Sequence, residues 1–322
     1  MVEHKYTEEQ NIAFLFIIIP ALMLFIGYFI NPYPASDSLL TSLLQIPLFL
    51  GLILLLIGFI LRNSSYSGWL KISGWIVFGF YWATQPAHLY FGEGNDIFNA
   101  VLCILGVFVL FYIAYHEWLS IKRNENISCL NWIAGASALA GIIYFGIERI
   151  AIAPWNINIK EWLIEHVTEE STWLLDKIIG NATVNGANIS LDGTYVVTII
   201  FACTAIQAMV IFVGMIGALP KISIKRRAIG LIITVLPVFI LNLFRNAMVA
   251  FLVGKDITDF FWAHNVLSKV GALISLIVLL LITIKIIPEI LDEIFCLIDL
   301  HKREGPIERM IIRILGKKNE KE

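Results

Sequence analysis

The chain has 322 residues, of which 58% are hydrophobic and 15% charged, and its mean hydropathy is +0.81. Soluble domains carry about 25% charged residues, so this composition excludes a soluble globular enzyme and points to a polytopic membrane protein. The net charge of −2 says nothing about partners, because the charge is segregated by loop, and no basic stripe calls for nucleic acid.

The start, MVEHKYTEEQ, is polar and acidic and lacks the basic flank and small-residue cleavage site of a signal peptide, so the first apolar run is expected to stay in the mature chain. Eight apolar segments are long enough to span: Asn11–Ile30, Leu39–Leu61, Trp69–Phe91, Ile97–Leu119, Leu130–Ile152, Tyr195–Leu219, Ala228–Leu252 and His264–Ile287. The expected fold is an all-α, polytopic helical bundle of about eight transmembrane helices, with an external interfacial helix and an amphipathic cytoplasmic tail. Four parts are expected: a five-span bundle over 1–152, an extracellular helix and loop over 153–194, a three-span catalytic core over 195–287, and a basic tail over 288–322.

Loop charges set the orientation. One set of linkers holds Lys5, Arg62, Lys71, Lys122, Arg123, Lys221, Lys225, Arg226, Arg227 and the eight basic residues from Lys285 onward, 17 in all. The other set holds only Lys160, Lys177 and Lys255. The positive-inside rule then puts both termini in the cytoplasm.

In the outer segment, Ile159, Leu163, Val167, Leu174 and Ile178 recur at helical spacing among Glu161, Glu165, Glu169 and Glu170. With Trp155, Trp162 and Trp173 as interface residues, they predict a helix lying on the membrane surface. The polar loop GNATVNGANISLDG follows, with glycosylation sequons at Asn181 and Asn188. In the tail, Arg309, Arg313 and Lys317 share one face of IERMIIRILGKK, as an anchor to an anionic leaflet requires.

Three residues carry the chemistry. Cys203 lies in the sixth span, about 12 Å below its outer end at 1.5 Å per residue, and Arg245 lies in the seventh, about 10 Å deep. His264 opens the eighth. All three therefore fall in the outer half of the bilayer, on consecutive spans. A thiol nucleophile, a permanent cation and a proton carrier are the parts of thiol acyl transfer. Each also has a structural reading: a buried small side chain for Cys203, snorkelling for Arg245, and an interface residue for His264. His88, at the outer end of the third span, competes with His264 as acid/base. Glu148 and Arg149 read as an ion pair, and Lys269 as the partner of a polar neighbour. The remaining cysteines, Cys103, Cys129 and Cys296, show no CxxC or Cys/His spacing, which argues against a zinc site and a disulfide framework. No Gly-rich phosphate loop is present, and no cofactor is called for.

The segments FACTAIQAMVIF, LNLFRNAMVAF and AHNVLSKVGAL, in that order and each on its own span, resemble the exosortase/archaeosortase family of membrane transpeptidases. The family's cysteine, its arginine after Asn-x-x and its third member fall on Cys203, Arg245 and His264. Ala205 departs from the pattern, which has glycine after Cys-Ser/Thr. The resemblance implies a cysteine enzyme whose partners are secreted proteins, S-layer glycoproteins among them. Such substrates carry a C-terminal sorting signal: a short motif such as Pro-Gly-Phe, a transmembrane helix and a basic cluster. It further implies removal of that signal and transfer to a membrane lipid through a thioester, with Cys203 as nucleophile, Arg245 as stabiliser of negative charge and His264 as acid/base. A protease in which water, not a lipid, resolves the thioester fits the same residues, and the competing class is a transporter or lipid-binding protein with Arg245 as gate or headgroup contact. Against it stands the lack of internal repeats or paired broken helices.

Overall fold

The computed structural model describes residues 2–34, 38–92, 96–149, 151–152 and 157–319. In chain order the elements are α1 (Val2–Ile30), α2 (Ser38–Leu43), α3 (Gln45–Ile60), α4 (Ser67–Ala83), α5 (Pro86–Phe91), α6 (Ile97–Arg123) and α7 (Ser128–Arg149). There follow β1 (Ala151–Ile152), β2 (Ile157–Asn158), α8 (Ile159–Ile179), β3 (Ala182–Asn185), β4 (Asn188–Leu191) and β5 (Thr194–Thr198). The chain then runs through a 3₁₀ turn (Phe201–Thr204), α9 (Ile206–Gly217), α10 (Ile224–Gly254), a π-helical stretch (Phe261–Leu267) and α11 (Ser268–Ile286). It ends with α12 (Glu289–Ile298), a 3₁₀ turn (Asp299–Arg303) and α13 (Pro306–Asn319).

Among the described residues five helical stretches are long and apolar enough to cross a membrane: Glu9–Ile30, Ile97–Arg123, Ser128–Arg149, Ile224–Gly254 and Phe261–Ile286. The molecule is a multi-pass, predominantly helical membrane protein. The other three expected spans are interrupted. Leu39–Leu61 breaks at Leu44, between α2 and α3. Trp69–Phe91 breaks at Thr84–Gln85, because Pro86 begins α5 and has no N–H to continue α4. The Thr84 carbonyl left over at the break accepts from Asn31 Nδ2 at 3.0 Å. Tyr195–Leu219 is a strand, a turn and a short helix. Pro20 and Pro237, by contrast, sit inside continuous helices.

The chain divides into two compact units, Met1–Ala138 with Asp292–Glu322, and Leu139–Leu291, the division falling inside α7. In the first unit α3 and α4 approach closely. A Cβ on Gly51 would stand 2.7 Å from the Phe78 backbone nitrogen, so only glycine permits this crossing. Lys71, counted above as a loop charge, is instead buried within α4, where its Nζ meets Glu117 Oε1 of α6 at 2.9 Å.

The end of the chain is docked on α6. Arg303 donates to the His116 carbonyl and to Ser120 Oγ, both at 3.1 Å, and pairs with Glu125. Glu308, buried in the first turn of α13, accepts from Tyr112 at 2.8 Å and Tyr115 at 3.0 Å. Burial pushes its carboxyl up, but hydrogen bonds from His116, its own backbone and Tyr112 outweigh this and hold it down to about 2. The segment IERMIIRILGKK was expected as an anchor; Ile307 and Glu308 at its start are packed inside the protein, and Arg313 is exposed. The side chains of Lys317 and Trp155 lie outside the described residues.

Cys129 and Cys296 form a disulfide, with Cα atoms 5.8 Å apart. This overturns the expectation of no disulfide. The two residues are 167 positions apart, and a pairing made by the return of α12 to the start of α7 leaves no trace in local spacing.

The buried Lys71–Glu117 pair gives a test of the first unit. Lys71→Met leaves a buried carboxylate without its counter-charge, at a cost of about 3–5 kcal/mol. Lys71→Met/Glu117→Leu removes both charges and restores most of that. Thermal unfolding of the detergent-solubilised protein is expected to show a lower Tm for the single variant than for the double one.

Candidate active site

The second unit holds all three candidate residues, and it is built around a small sheet that the apolar pattern did not announce. β3, β4 and β5 form an antiparallel meander with Asn185 opposite Asn188 and Leu191 opposite Thr194. The segment read as a polar loop thus contains two hairpin turns. Asp192 and Gly193, the central residues of the second, have φ of 52° and 79°, the positive pair that a type I′ turn requires and Asp-Gly supplies. Ile189 and Leu191 of β4 alternate into the core. Both sequons lie on this meander: Asn181 donates to Asp192 Oδ1 at 3.3 Å, and Asn188 accepts from Thr198 at 2.6 Å.

α8 is the expected helix of the outer segment, capped by Asn158, whose side chain accepts from the Glu161 N–H. Trp162 and Trp173 are exposed, while Val167, Ser171 and Leu175 are buried. Ile178, expected on the apolar face, is exposed. Glu148 and Arg149 form the expected ion pair at 3.4 Å.

Cys203 is not inside a membrane helix. It sits in the 3₁₀ turn between β5 and α9, its N–H bonded to the Ile200 carbonyl at 2.8 Å. The Thr204 hydroxyl donates to the Phe201 carbonyl at 2.7 Å and closes the turn. Phe201 packs on Tyr144 at 5.5 Å, with Lys160 Nζ over its ring at 5.7 Å. Cys203 is buried in one cluster with Val167, Ile189, Val197, Ala247, Ala250 and Ala263, so α8, the sheet, α10 and the π-helical stretch all converge on it.

The carbonyl of Cys203 has no helical partner. It accepts two side-chain amides from α10, Asn242 Nδ2 at 2.8 Å and Asn246 Nδ2 at 3.1 Å. Asn246 Nδ2 also reaches Ser171 Oγ of α8 at 3.5 Å. Asn242, Arg245 and Asn246 are spaced i, i+3, i+4 and share one helix face. Arg245 donates from Nη1 to Asn242 Oδ1 at 3.4 Å and from Nε to Ser268 Oγ at 2.8 Å. The Ser268 hydroxyl donates onward to the His264 carbonyl at 2.9 Å. Cys203 and Arg245 are therefore joined through Asn242, and His264 is joined through its backbone rather than its ring. The imidazole is half-buried and stacked on Phe260, with centroids 4.9 Å apart. The π-helical stretch that carries it is a feature often found at functional sites. Among the described residues no Asp or Glu pairs with Arg245, so its charge meets only neutral acceptors.

Asn246, Ser171 and Ser268 were missed by the sequence reading. The available signal was the run Asn242-Leu-Phe-Arg245-Asn246, three polar side chains on one face of an otherwise apolar helix. His88 belongs to the first unit, on α5 against Tyr33. Cys103, also in the first unit, donates its thiol to the Trp82 carbonyl at 3.2 Å.

A multi-pass helical membrane protein with a buried cysteine, a mid-helix arginine and asparagine amides tying them together is the class this geometry defines. Residues 69–283 match the family model described as "Transmembrane exosortase (Exosortase_EpsH)", and the chain belongs to that family. Its relatives include archaeosortase A of Natronomonas pharaonis, 24% identical over 259 residues that cover 69% of this chain and 77% of that protein. Archaeosortase A of Haloferax volcanii is 22% identical over 268 residues, 72% of this chain and 85% of that protein. No solved structure matches the chain.

Ala205 gives the departure from the family pattern a physical meaning. Its φ of 57° lies in the left-handed region, where a Cβ costs about 1 kcal/mol or more. Ala205→Gly is expected to raise stability by about 0.5–1 kcal/mol, the relief of strain exceeding the added unfolded-chain entropy. Ala205→Val is expected to lower it by more. Unfolding of the two variants in detergent against the parent protein checks the sign.

Proposed function

We propose that the chain is a membrane cysteine transpeptidase that removes the C-terminal sorting signal of secreted proteins and transfers them to a membrane lipid. The carrying observation is Arg245: a half-buried guanidinium without a carboxylate partner among the described residues, hydrogen-bonded to the same Asn242 that holds the Cys203 backbone. A permanent cation held by neutral groups is available to a thiolate or an oxyanion, and it acts most strongly where water is excluded. Family membership and the two archaeosortase A relatives support the same reading.

In this mechanism Cys203 Sγ, as thiolate, attacks the scissile carbonyl. Arg245 takes up the negative charge of the tetrahedral oxygen. His264 protonates the departing amine as the C–N bond breaks, leaving a thioester. A lipid nucleophile then gives its proton to His264, attacks the thioester and releases Cys203. The substrate signal is the motif, transmembrane helix and basic cluster of the family, with a Pro-Gly-Phe motif and S-layer glycoproteins as the leading candidates. Both termini lie in the cytoplasm and the site lies near the outer face. The imbalance of 17 basic residues in one set of linkers against three in the other supports this, and it stands with Lys71 left out.

The test uses co-expression with a reporter ending in Pro-Gly-Phe, a transmembrane helix and a basic cluster, read by intact mass. Cys203→Ala and Cys203→Ser are expected to leave the reporter unprocessed, because a hydroxyl has too high a pKa to be activated in a site tuned for a thiol. Arg245→Lys is expected to lose about 10²–10³ in rate, having lost the planar fork. Cys103→Ala is expected to process normally. Processing by Cys203→Ala at the parent rate overturns the proposal. A product with a bare new C-terminus, rather than a lipid adduct, makes water the acceptor.

Sidedness has its own check. A membrane-impermeant maleimide applied to intact cells is expected to label a variant that keeps only Cys203, and to label it more slowly when Arg245 is replaced by Ala. Labelling that begins only after lysis inverts the orientation.

A further inference from the structure

The first unit contains a second sulfur site, at the place where the chain leaves that unit and where it returns. Cys129 is in the first turn of α7, and Glu293 and Cys296 stand at i and i+3 on one face of α12. One ligand atom from each of the three lies within 4.8 Å of the other two. Glu293 is buried, at 7% exposure. Its Oε1 accepts from Ser128 Oγ at 2.5 Å, while its Oε2 is buried with no hydrogen-bond partner. Among the described residues no Lys or Arg pairs with it. A buried carboxylate oxygen without a donor is costly, and the Cys129–Cys296 disulfide beside it has no proton to offer.

We propose that Cys129, Cys296 and Glu293 form a binding site for a thiophilic divalent cation of the zinc class when the disulfide is reduced. Two thiolates and a carboxylate are three of the four ligands of a tetrahedral zinc ion, with Zn–S of about 2.3 Å and Zn–O of about 2.0–2.2 Å. Ligand atoms already within 4.8 Å of one another reach that geometry by side-chain rotation. Ser128 fixes the carboxylate from behind, as hydrogen-bond donors do for metal-binding carboxylates. Cys296 is only half-buried and Ser128 is exposed, which leaves a path for the ion and for a water as fourth ligand.

The reaction balances with an external dithiol as reductant. The dithiol gives two electrons and two protons to the S–S bond and becomes a disulfide itself. Binding of the cation then releases the two thiol protons. On the orientation proposed above, the site faces the cytoplasm, where thiols are kept reduced. Disulfide and cation tie the same two points, the start of α7 and α12, so either one fastens the ends of the 167-residue separation to each other.

The experiment uses the full chain in detergent with Cys103→Ser and Cys203→Ala, so that no other thiol contributes and transpeptidase activity plays no part in the readout. The protein is reduced with a phosphine, incubated with Zn²⁺, desalted, and its metal content measured by elemental mass spectrometry. One zinc per chain is expected after reduction and none in the disulfide form, whose oxidation state is read by intact mass. Co²⁺ in place of Zn²⁺ is expected to show thiolate charge-transfer and tetrahedral d–d bands. Cys129→Ser and Cys296→Ser are expected to abolish retention. Glu293→Gln is expected to weaken affinity about tenfold or more, while its ability to form the disulfide shows that the fold is intact. No zinc on the reduced protein, or equal retention by Cys129→Ser, overturns the proposal.

Discussion

The carbonyl oxygen of Cys203 is the point on which the second unit turns. Where a chain in an apolar setting stops being helical, its backbone groups lose their partners, and each must find another. Between β5 and α9 the chain makes such a stop. The two amides of Asn242 and Asn246 meet the need, and in doing so they place α10 against the cysteine turn. Ser171 draws α8 to the same point. Arg245, between the two asparagines, is then held beside the turn, and Ser268 extends the chain of hydrogen bonds to the π-helical stretch.

Lys71 and Arg303 on one side and Arg245 on the other show two ways of holding a charge inside the protein. In the first, charge meets opposite charge: Lys71 with Glu117, Arg303 with Glu125. Glu308 is enclosed by two tyrosine hydroxyls and a histidine. Such groups hold helices in place, and their charge is spent on one another. In the second unit Arg245 meets, among the described residues, only an amide oxygen and a hydroxyl. A cation in an apolar setting with no counter-charge is expensive, and the proposed function rests on that difference between Arg245 and the paired charges of the first unit.

Membership in the transmembrane exosortase family and the geometry of the cysteine turn bear on the proposed function in different ways. The family match covers 69–283 and rests on sequence alone. The hydrogen-bond network rests on where α8, α9, α10 and α11 lie. His264 is the member for which the two diverge most. The sequence pattern places it third in the set, whereas the structure joins it to the network through its carbonyl and stacks its ring on Phe260.

By itself the sequence determined the membrane class, the apolar runs that become the five long helices, the helix of the outer segment and the choice of three residues as candidates. These are properties of composition, of periodicity along one helix, or of short motifs, and each is complete within a few dozen neighbouring residues. Only the tertiary structure decided that Tyr195–Leu219 is a strand, a turn and a short helix. An apolar run reads alike in a helix and in a buried strand, and the choice falls to hairpin turns at Gly186-Ala187 and Asp192-Gly193 upstream of it. Lys71 was legible as a basic residue but not as a buried one, because its partner Glu117 lies on another helix. The Cys129–Cys296 disulfide joins positions 167 apart. The roles of Asn246, Ser171 and Ser268 depend likewise on elements far apart in the chain. A hydrogen bond or a sulfur pair between such elements is a matter of distance in space, and local spacing carries no record of it.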